Sequence, residues 1–514
     1  RGDLKTVEII VNGTNNGGTE VSAIEDIKED DKVTNVQTAS MMEQKGSGDV
    51  GDATKKITGL SMVGSVLYVR GLGDRYNVAY LNNLPLPSPD PDFRVIPLSI
   101  FPTDIVSSVQ VSKVMSPELY GDFSGGAFNI TTKSFYDEPT LKLSIGSGMN
   151  TQTTFKDFQT YSGGKTDFFG FDDGTRNIPQ FVVDNSSPAA YKEINSIYPS
   201  SLYNSVEGKS TGFHDNFGTF FKTALPNTNF SVTGGTFIPM AKSEDKSKGF
   251  GYLVLLSHDN AYNYSYGDIK NINAQSEERL NYHIEKYNYS TSTTGLVNFY
   301  VRINPENNIS VNSLYVNTSD DETRESWGTH YDYARSIYSR RITYKQNYIW
   351  VNQIIGTHKF LGHPDDKNFS RLTLDWRGSF STTGSKEPDR RQFVAFYDED
   401  KKENFDQYTF MYIDRNENHI FYSELHESEM AAKFNGQFVI LYDEEKDSVR
   451  GGIKVKDLIT VHAGADYKSK SRMFDYKQYN YVLNQLASNT VDQVDIYNVD
   501  NYLNSEVHDN GEFY

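Results

Sequence analysis

Arg70, Arg75 and Arg94 lie close in sequence to Asp74, Asp90, Asp92 and Asp104, types that can form ion pairs and break them again. Exposed pairs are each worth little, so the residues alone leave two readings open: a releasable latch or ordinary surface pairing. Gly71 and Gly73 flank Leu72, a spacing that elsewhere cradles phosphates, but here it sits in a turn-rich stretch rather than between a strand and a helix. His258, His283, His330 and His358 are scattered without metal-ligand spacing. Ser319-Asp320-Asp321 offers oxygens to calcium but lacks the loop pattern of a dedicated site. There is no G-x-S-x-G elbow, no H-E-x-x-H helix and no P-loop. With no cysteine, thiol catalysis, zinc-thiolate sites and disulfides are excluded. The sequence therefore points away from an enzyme, and it calls for no cofactor or metal. A net charge of -18 also argues against nucleic acid as a partner.

The candidate residues cluster in one stretch, Tyr68 to Phe135, around which the chain is organised. Its first half sets Gly71, Gly73, Pro85, Pro87, Pro89 and Pro91 among apolar and aromatic residues, so turns and very short strands are expected there. In its second half Ile105 to Val111 is β-branched and Ser116 to Gly121 reads as one helical turn. Gly125-Gly126 bends into a strand, Ala127 to Thr131. Gly71, Gly73, Gly121, Gly125 and Gly126 are expected where a Cβ would hinder the backbone or a close neighbour. Upstream, 38–45 and 51–57 read as two short helices, and Val66-Leu67-Tyr68-Val69 is expected to start the sheet.

These residues resemble a known family. The VRG at 69–71 followed by a Tyr-Leu-Asn strand, the PLPSPDP loop, the run FPTDIVSSVQVSKVMSPELYGDFSGGAFNITTK and the acidic segment before them are similar to the plug domain of TonB-dependent outer-membrane receptors. The resemblance covers about Thr34 to Lys133, and the RGLGxRY and PSPDP elements resemble Bacteroidota-type receptors. It implies an N-terminal α+β plug inside a transmembrane antiparallel β-barrel of about 22 strands when complete. It also implies a transporter in the bacterial outer membrane that imports a bulky ligand. TonB, working with ExbB-ExbD, would supply energy from the inner-membrane proton gradient. Outer-membrane lipid and lipopolysaccharide would surround it, and a surface lipoprotein or other complex subunits are further implied partners. A second reading makes the same fold a scaffold subunit of an outer-membrane complex.

Ahead of the plug, Leu4-Lys5-Thr6-Val7-Glu8-Ile9-Ile10-Val11 is a short β-forming run followed by a flexible Asn/Gly tether and an acidic segment. On the residues alone it is as much an edge strand as a docking strand. The resemblance makes Leu4, Val7, Glu8, Ile9, Ile10 and Val11 the segment that adds to TonB's sheet. On the latch reading, Arg70, Arg75 and Arg94 form ion pairs that hold the plug against the barrel wall; on the other they are ordinary surface pairs. The expected division is 1–33 tether, 34–135 plug, and 136–514 the N-terminal part of the barrel.

Beyond Phe135 the pattern turns to alternation. Leu141, Leu143 and Ile145 alternate with polar residues, as do Leu372, Leu374 and Trp376, and Ile459, Val461, Ala463, Ala465 and Tyr467. A strand between lipid and a wet lumen needs this period of two, and so does a soluble sandwich. Mean hydropathy of -0.59 with 13% aromatics and no long apolar run suits alternation rather than membrane helices. Nine strands are expected, near 141–150, 228–239, 249–262, 285–303, 309–319, 340–361, 369–384, 430–442 and 458–472. Short and long links alternate between them, as turns and external loops do in such barrels. The long links carry aromatics, as at 167–173 and 476–481, suited to recognition or to an interfacial girdle. Nine strands do not close a barrel, so an open wall and an intact polypeptide heavier than 58.2 kDa are expected.

Overall fold

The computed structural model describes residues 34–180, 183, 217–240, 248–397, 408–411, 417–446, 453–480 and 494–502, apart from 64–65, 92–93, 95–97, 117–118, 275–276, 334 and 363–368. The run Leu4 to Val11, the tether and the acidic segment lie outside the described residues.

A small α+β unit comes first. Strand β1 (Thr34–Thr38) leads into a helix, Ala39–Gln44, whose first turn is capped by the Thr38 hydroxyl, and a second helix, Val50–Lys55, is capped by Asp49. Next come β2 (Leu60–Val63), β3 (Val66–Val69), β4 (Val78–Leu81), β5 (Leu84–Pro85), β6 (Val106–Ser112) and β7 (Ala127–Thr132). One sheet has the order β1-β6-β7-β4-β5, antiparallel except for β4 with β7. Contrary to expectation, Val66–Val69 does not start this sheet but forms a separate hairpin with β2. The reason is local: Val69 and Leu72 exchange backbone hydrogen bonds of 2.9 Å across Arg70 (φ 51) and Gly71 (φ +81), which uses up the strand's free edge. The expected helical turn at Ser116 is a single hydrogen bond from Leu119 N–H to the Ser116 carbonyl.

The second unit is a wall of long antiparallel strands. These are β8 (Thr140–Gly148), β11 (Asn227–Pro239), β12 (Gly249–Ile272), β13 (Glu278–Asn304), β14 (Asn307–His330), β15 (Arg335–Gly362), β16 (Ser370–Tyr397), β18 (His419–Lys446) and β19 (Ile453–Asn480). Each pairs with its neighbour in chain order, and the short β17 (Tyr408–Phe410) joins β16. The hairpin β9 (Asp157–Thr160) with β10 (Phe220–Thr223) forms a sheet of its own. Among the described residues β8 pairs only with β11 and β19 only with β18, so the wall is open.

Burial along β12 shows what alternation does. Leu253 and Leu255 are fully buried against the plug, while Val254 and Leu256 on the other face are exposed. The same outer face carries Leu141, Leu143, Ile145, Val311, Trp350, Ile354, Phe434, Phe438 and Val461, all exposed, with Ile145 at 85%. An exposed apolar band this extensive is not tolerated in water but is what a lipid-facing wall presents.

The expected sorting of links into short and long fails at two places. The links 273–277 and 331–334 are tight, because the strands run far past the expected ends: β12 and β14 have 24 residues and β15, β16, β18 and β19 have 28. A bilayer crossing takes about 9–11 residues of strand. Beyond it both faces are wet, so the apolar alternation disappears from the sequence although the ladder continues through pairs such as Tyr264–Tyr287 and Glu285–Glu325. For the same reason 476–480, expected in a loop, lie in β19, where Tyr476 stacks on Phe421.

Leu374 shares its face with exposed Phe380, whereas Thr373 shares the face of Arg377, which reaches the plug. Leu374→Arg is expected to cost about 2–4 kcal/mol of wall stability. Thr373→Arg should cost far less, measured as the fraction of heat-modifiable, folded protein recovered in membranes. Equal losses would contradict the facing assigned to β16.

Candidate functional site

The plug meets the wall along one seam. Val109, Phe128 and Ile130 of the plug belong to a single buried cluster with Leu253, Leu255, Leu296, Leu314, Val316, Ile349 and Val351 of the wall. Burying a side chain of this kind is worth about 1.5–3 kcal/mol, against about 0.5–1.5 for a net hydrogen bond, so apolar contact supplies most of the adhesion. The polar contacts fix where the plug sits.

Those polar contacts come from two plug loops. Asn82 and Asn83 join β4 to β5 with φ of 52 and 62, the left-handed pair a two-residue hairpin turn requires and asparagine tolerates. The buried Asn82 amide donates to Thr132 Oγ1 (3.1 Å) and to Gln353 Oε1 of β15 (2.7 Å), while its carbonyl oxygen accepts from Thr132 N–H (3.0 Å). Gln353 donates back to the Leu81 carbonyl (2.8 Å), and Arg377 of β16 donates to the Asn82 main-chain carbonyl (2.8 Å). In the Pro-rich loop, Asp90 pairs with Lys345 of β15 (3.0 Å), and its main-chain carbonyl accepts from Arg472 of β19 (2.6 Å). Arg472 is also paired with Glu427 at 3.0 Å. Lys468 lies over the ring of Tyr120 in the plug. Burial, together with the carboxylates of Asp466 and Glu429, pushes the Tyr120 phenol up to about 12.

The three arginines singled out in the sequence sit elsewhere. Arg94 pairs with Asp122 and donates to the Arg75 carbonyl, and its own N–H is accepted by Asp74. Arg70 donates to the Lys113 carbonyl at 3.4 Å. The Lys113 ammonium is held below its usual range by burial and by Arg70. Arg75 is exposed. These contacts hold the plug's own loops together, while the cations that grip it belong to the wall.

Of the glycines, Gly71 has the left-handed φ already described. A Cβ on Gly126 would stand 2.9 Å from Val69, and one on Gly125 would collide with buried Asn77, whose amide binds the Leu67 and Gly73 carbonyls. Gly73 and Gly121 face Tyr68 and Met115 side chains at 3.3 and 3.2 Å and do not have positive φ. The aromatic loop 167–173 lies on the outer side of the wall. Phe168 and Phe169 meet edge to face beside the tilted ring of His258 and, with Phe230, line a cavity of about 660 Å³ at the head of the apolar band. Among the described residues no group of acidic or histidine side chains could hold a metal, Ser319 to Asp321 included.

Asn82, Gln353, Arg377, Lys345 and Arg472 were not singled out from the sequence. Asn82-Asn83 between Leu81 and Leu84 is a hairpin signal, but nothing local marks its wall partners.

A plug of this geometry, gripped from one side by a barrel-type wall, defines the class of fold. Residues 26–127 match the family model of the TonB-dependent Receptor Plug Domain. Among solved structures, the chain aligns with the ferric-catecholate import receptor Fiu of E. coli K12 in its open form (10% identity, TM-score 0.36, 88% of this chain and 70% of that one). It also aligns with BauA, the ferric preacinetobactin receptor of Acinetobacter baumannii (11%, 0.31, 87% and 60%). A third is the ferric yersiniabactin uptake receptor FyuA of Yersinia pestis (10%, 0.28, 88% and 61%). The chain thus spans about 60–70% of the length of these receptors. No curated protein matches it.

Asn82→Ala removes the side-chain hydrogen bonds to Thr132 and Gln353 and leaves Gln353 Oε1 without its donor, at a cost of about 1–3 kcal/mol to plug docking. Hydrogen exchange should accelerate at the amides of 78–86 while the wall amides of β12 to β14 keep their protection. Unchanged exchange at 78–86 would remove Asn82 from the docking contact.

Proposed function

We propose that the chain is a TonB-dependent outer-membrane transporter, with the plug end of the tether in the periplasm. The observation that carries this reading is the seam. A plug domain of the matched family packs by its apolar sheet face onto the inner side of a wall whose other side is an exposed apolar band. Ligand is taken up at the far ends of the wall strands, above the hairpin tip at Asn82 and the loop at Asp90. TonB grips Leu4 to Val11 by strand addition. The load passes first to β1, an edge strand of five residues that among the described residues is held in its sheet by β6 alone. From there it reaches the few polar contacts at Asn82 and Asp90, whose loss frees the plug to shift along the wall.

Proline removes the backbone donor on which strand addition depends. Val7→Pro and Ile9→Pro should each abolish energised uptake while the protein still assembles in the outer membrane at the normal level. Undiminished uptake by both variants would exclude this run as the TonB-binding segment.

A further inference from the structure

On the plug side of the wall, beyond the plug contact at Lys345, three arginines from three neighbouring strands converge. Arg341 shares the face of Lys345 on β15 and lies four residues farther from the Asp90 contact, roughly 13 Å along a strand. It stands directly opposite Arg324 of β14 in the ladder and opposite Gln392 of β16 on the other side. Its Nε donates to Gln392 Oε1 at 2.8 Å. Arg390, two residues before Gln392 and so on the same face, lies 4.0 Å over the ring of Phe421.

Directly opposed like charges on adjacent strands work against the sheet, so the pair Arg324–Arg341 is not explained by wall stability. Local carboxylates offset it only in part: Glu322 and Glu387 both attract the Arg341 guanidinium, but each is already paired with another cation. Glu322 faces the same way but pairs with Lys286 (3.9 Å), and Glu387 pairs with Arg390 (3.3 Å). Among the described residues neither Arg324 nor Arg341 has an ion-pair partner, and the Arg324 side chain has no hydrogen bond. The Nε of Arg390 is buried and donates to nothing. Three guanidinium groups with spare donors, one of them set against an aromatic ring, form a preorganised fork for oxyanions.

We propose that Arg324, Arg341 and Arg390 bind the transported ligand through its acidic groups, and that this ligand is a small molecule bearing two or more carboxylates or phosphates. The proposal rests on the transporter reading for the word transported, while the site itself does not. Bound there, the anion neutralises the opposed pair and bridges β14, β15 and β16, and so acts on β15, whose Lys345 holds Asp90.

The test uses the full chain in detergent micelles, titrated calorimetrically with tricarballylate and, separately, with inorganic triphosphate. At least one should bind, more weakly as salt is raised. Arg324→Gln and Arg341→Gln should each weaken it about tenfold or more. Lys359→Gln, an exposed charge near the opposite end of β15, should leave binding unchanged. Arg324→Gln should also leave the unfolding temperature unchanged or raise it, because it relieves a like-charge pair. Absence of binding by both anions, equal binding by the arginine variants, or a lowered unfolding temperature in Arg324→Gln would each overturn the site. Absence of energised uptake by the unmodified chain would instead strike the transport reading and leave this binding result intact.

Discussion

In hydrocarbon a backbone N–H or C=O without a partner costs several kcal/mol, so each wall strand must be laddered to its neighbours through the whole crossing. The rest of the structure depends on that ladder. It fixes the register of β11 through β19, and the register assigns every second side chain to lipid and the others to the plug. Leu253 is buried and Val254 exposed for no reason other than this parity. The same parity collects the residues that touch the plug, among them Gln353, Lys345 and Arg377, on one face although they come from well-separated parts of the chain.

The seam that results has an uneven division of labour. Apolar contact gives adhesion that is non-directional and changes little if the plug slides. The hydrogen bonds at Asn82 and the ion pair at Asp90 are directional and break over a fraction of an ångström. A plug held in this way is retained at rest, yet its position is decided by a small number of contacts at two loop tips. Both tips hang from the sheet whose edge strand is β1, the first element of the described residues.

Past the membrane band the outer face of the wall is no longer apolar, and chain segments fold onto it. Arg176 is buried with Asp167, and Arg340 pairs with Glu325 (2.6 Å) and donates to the Ile496 carbonyl (2.7 Å). Buried pairs of this kind give little net stability, since desolvation offsets most of the attraction. They do define where 157–180 and 494–502 lie, because a guanidinium displaced from its carboxylate there would be left buried and unpaired. The plug side is thereby left to the charged residues of β14, β15 and β16.

The sequence by itself determined the type of each half. Breakers and β-branched runs marked a small α+β unit, and alternation marked a two-faced wall with nine long strands, because both depend on neighbours one to four residues apart. It also located Gly71 and the Gly125-Gly126 bend, whose need for glycine is set by local backbone and close approach. It could not show how far the strands run, since outside the bilayer both faces are wet and no alternation records the ladder. Nor could it distinguish the arginines that close the plug's loops from the cations that hold the plug. Arg94 finds Asp122 within its own domain, whereas Asp90 meets Lys345 only after β15 has been placed by register. Partners so distant along the chain are chosen by strand pairing, and pairing is a property of the folded wall rather than of any segment within it.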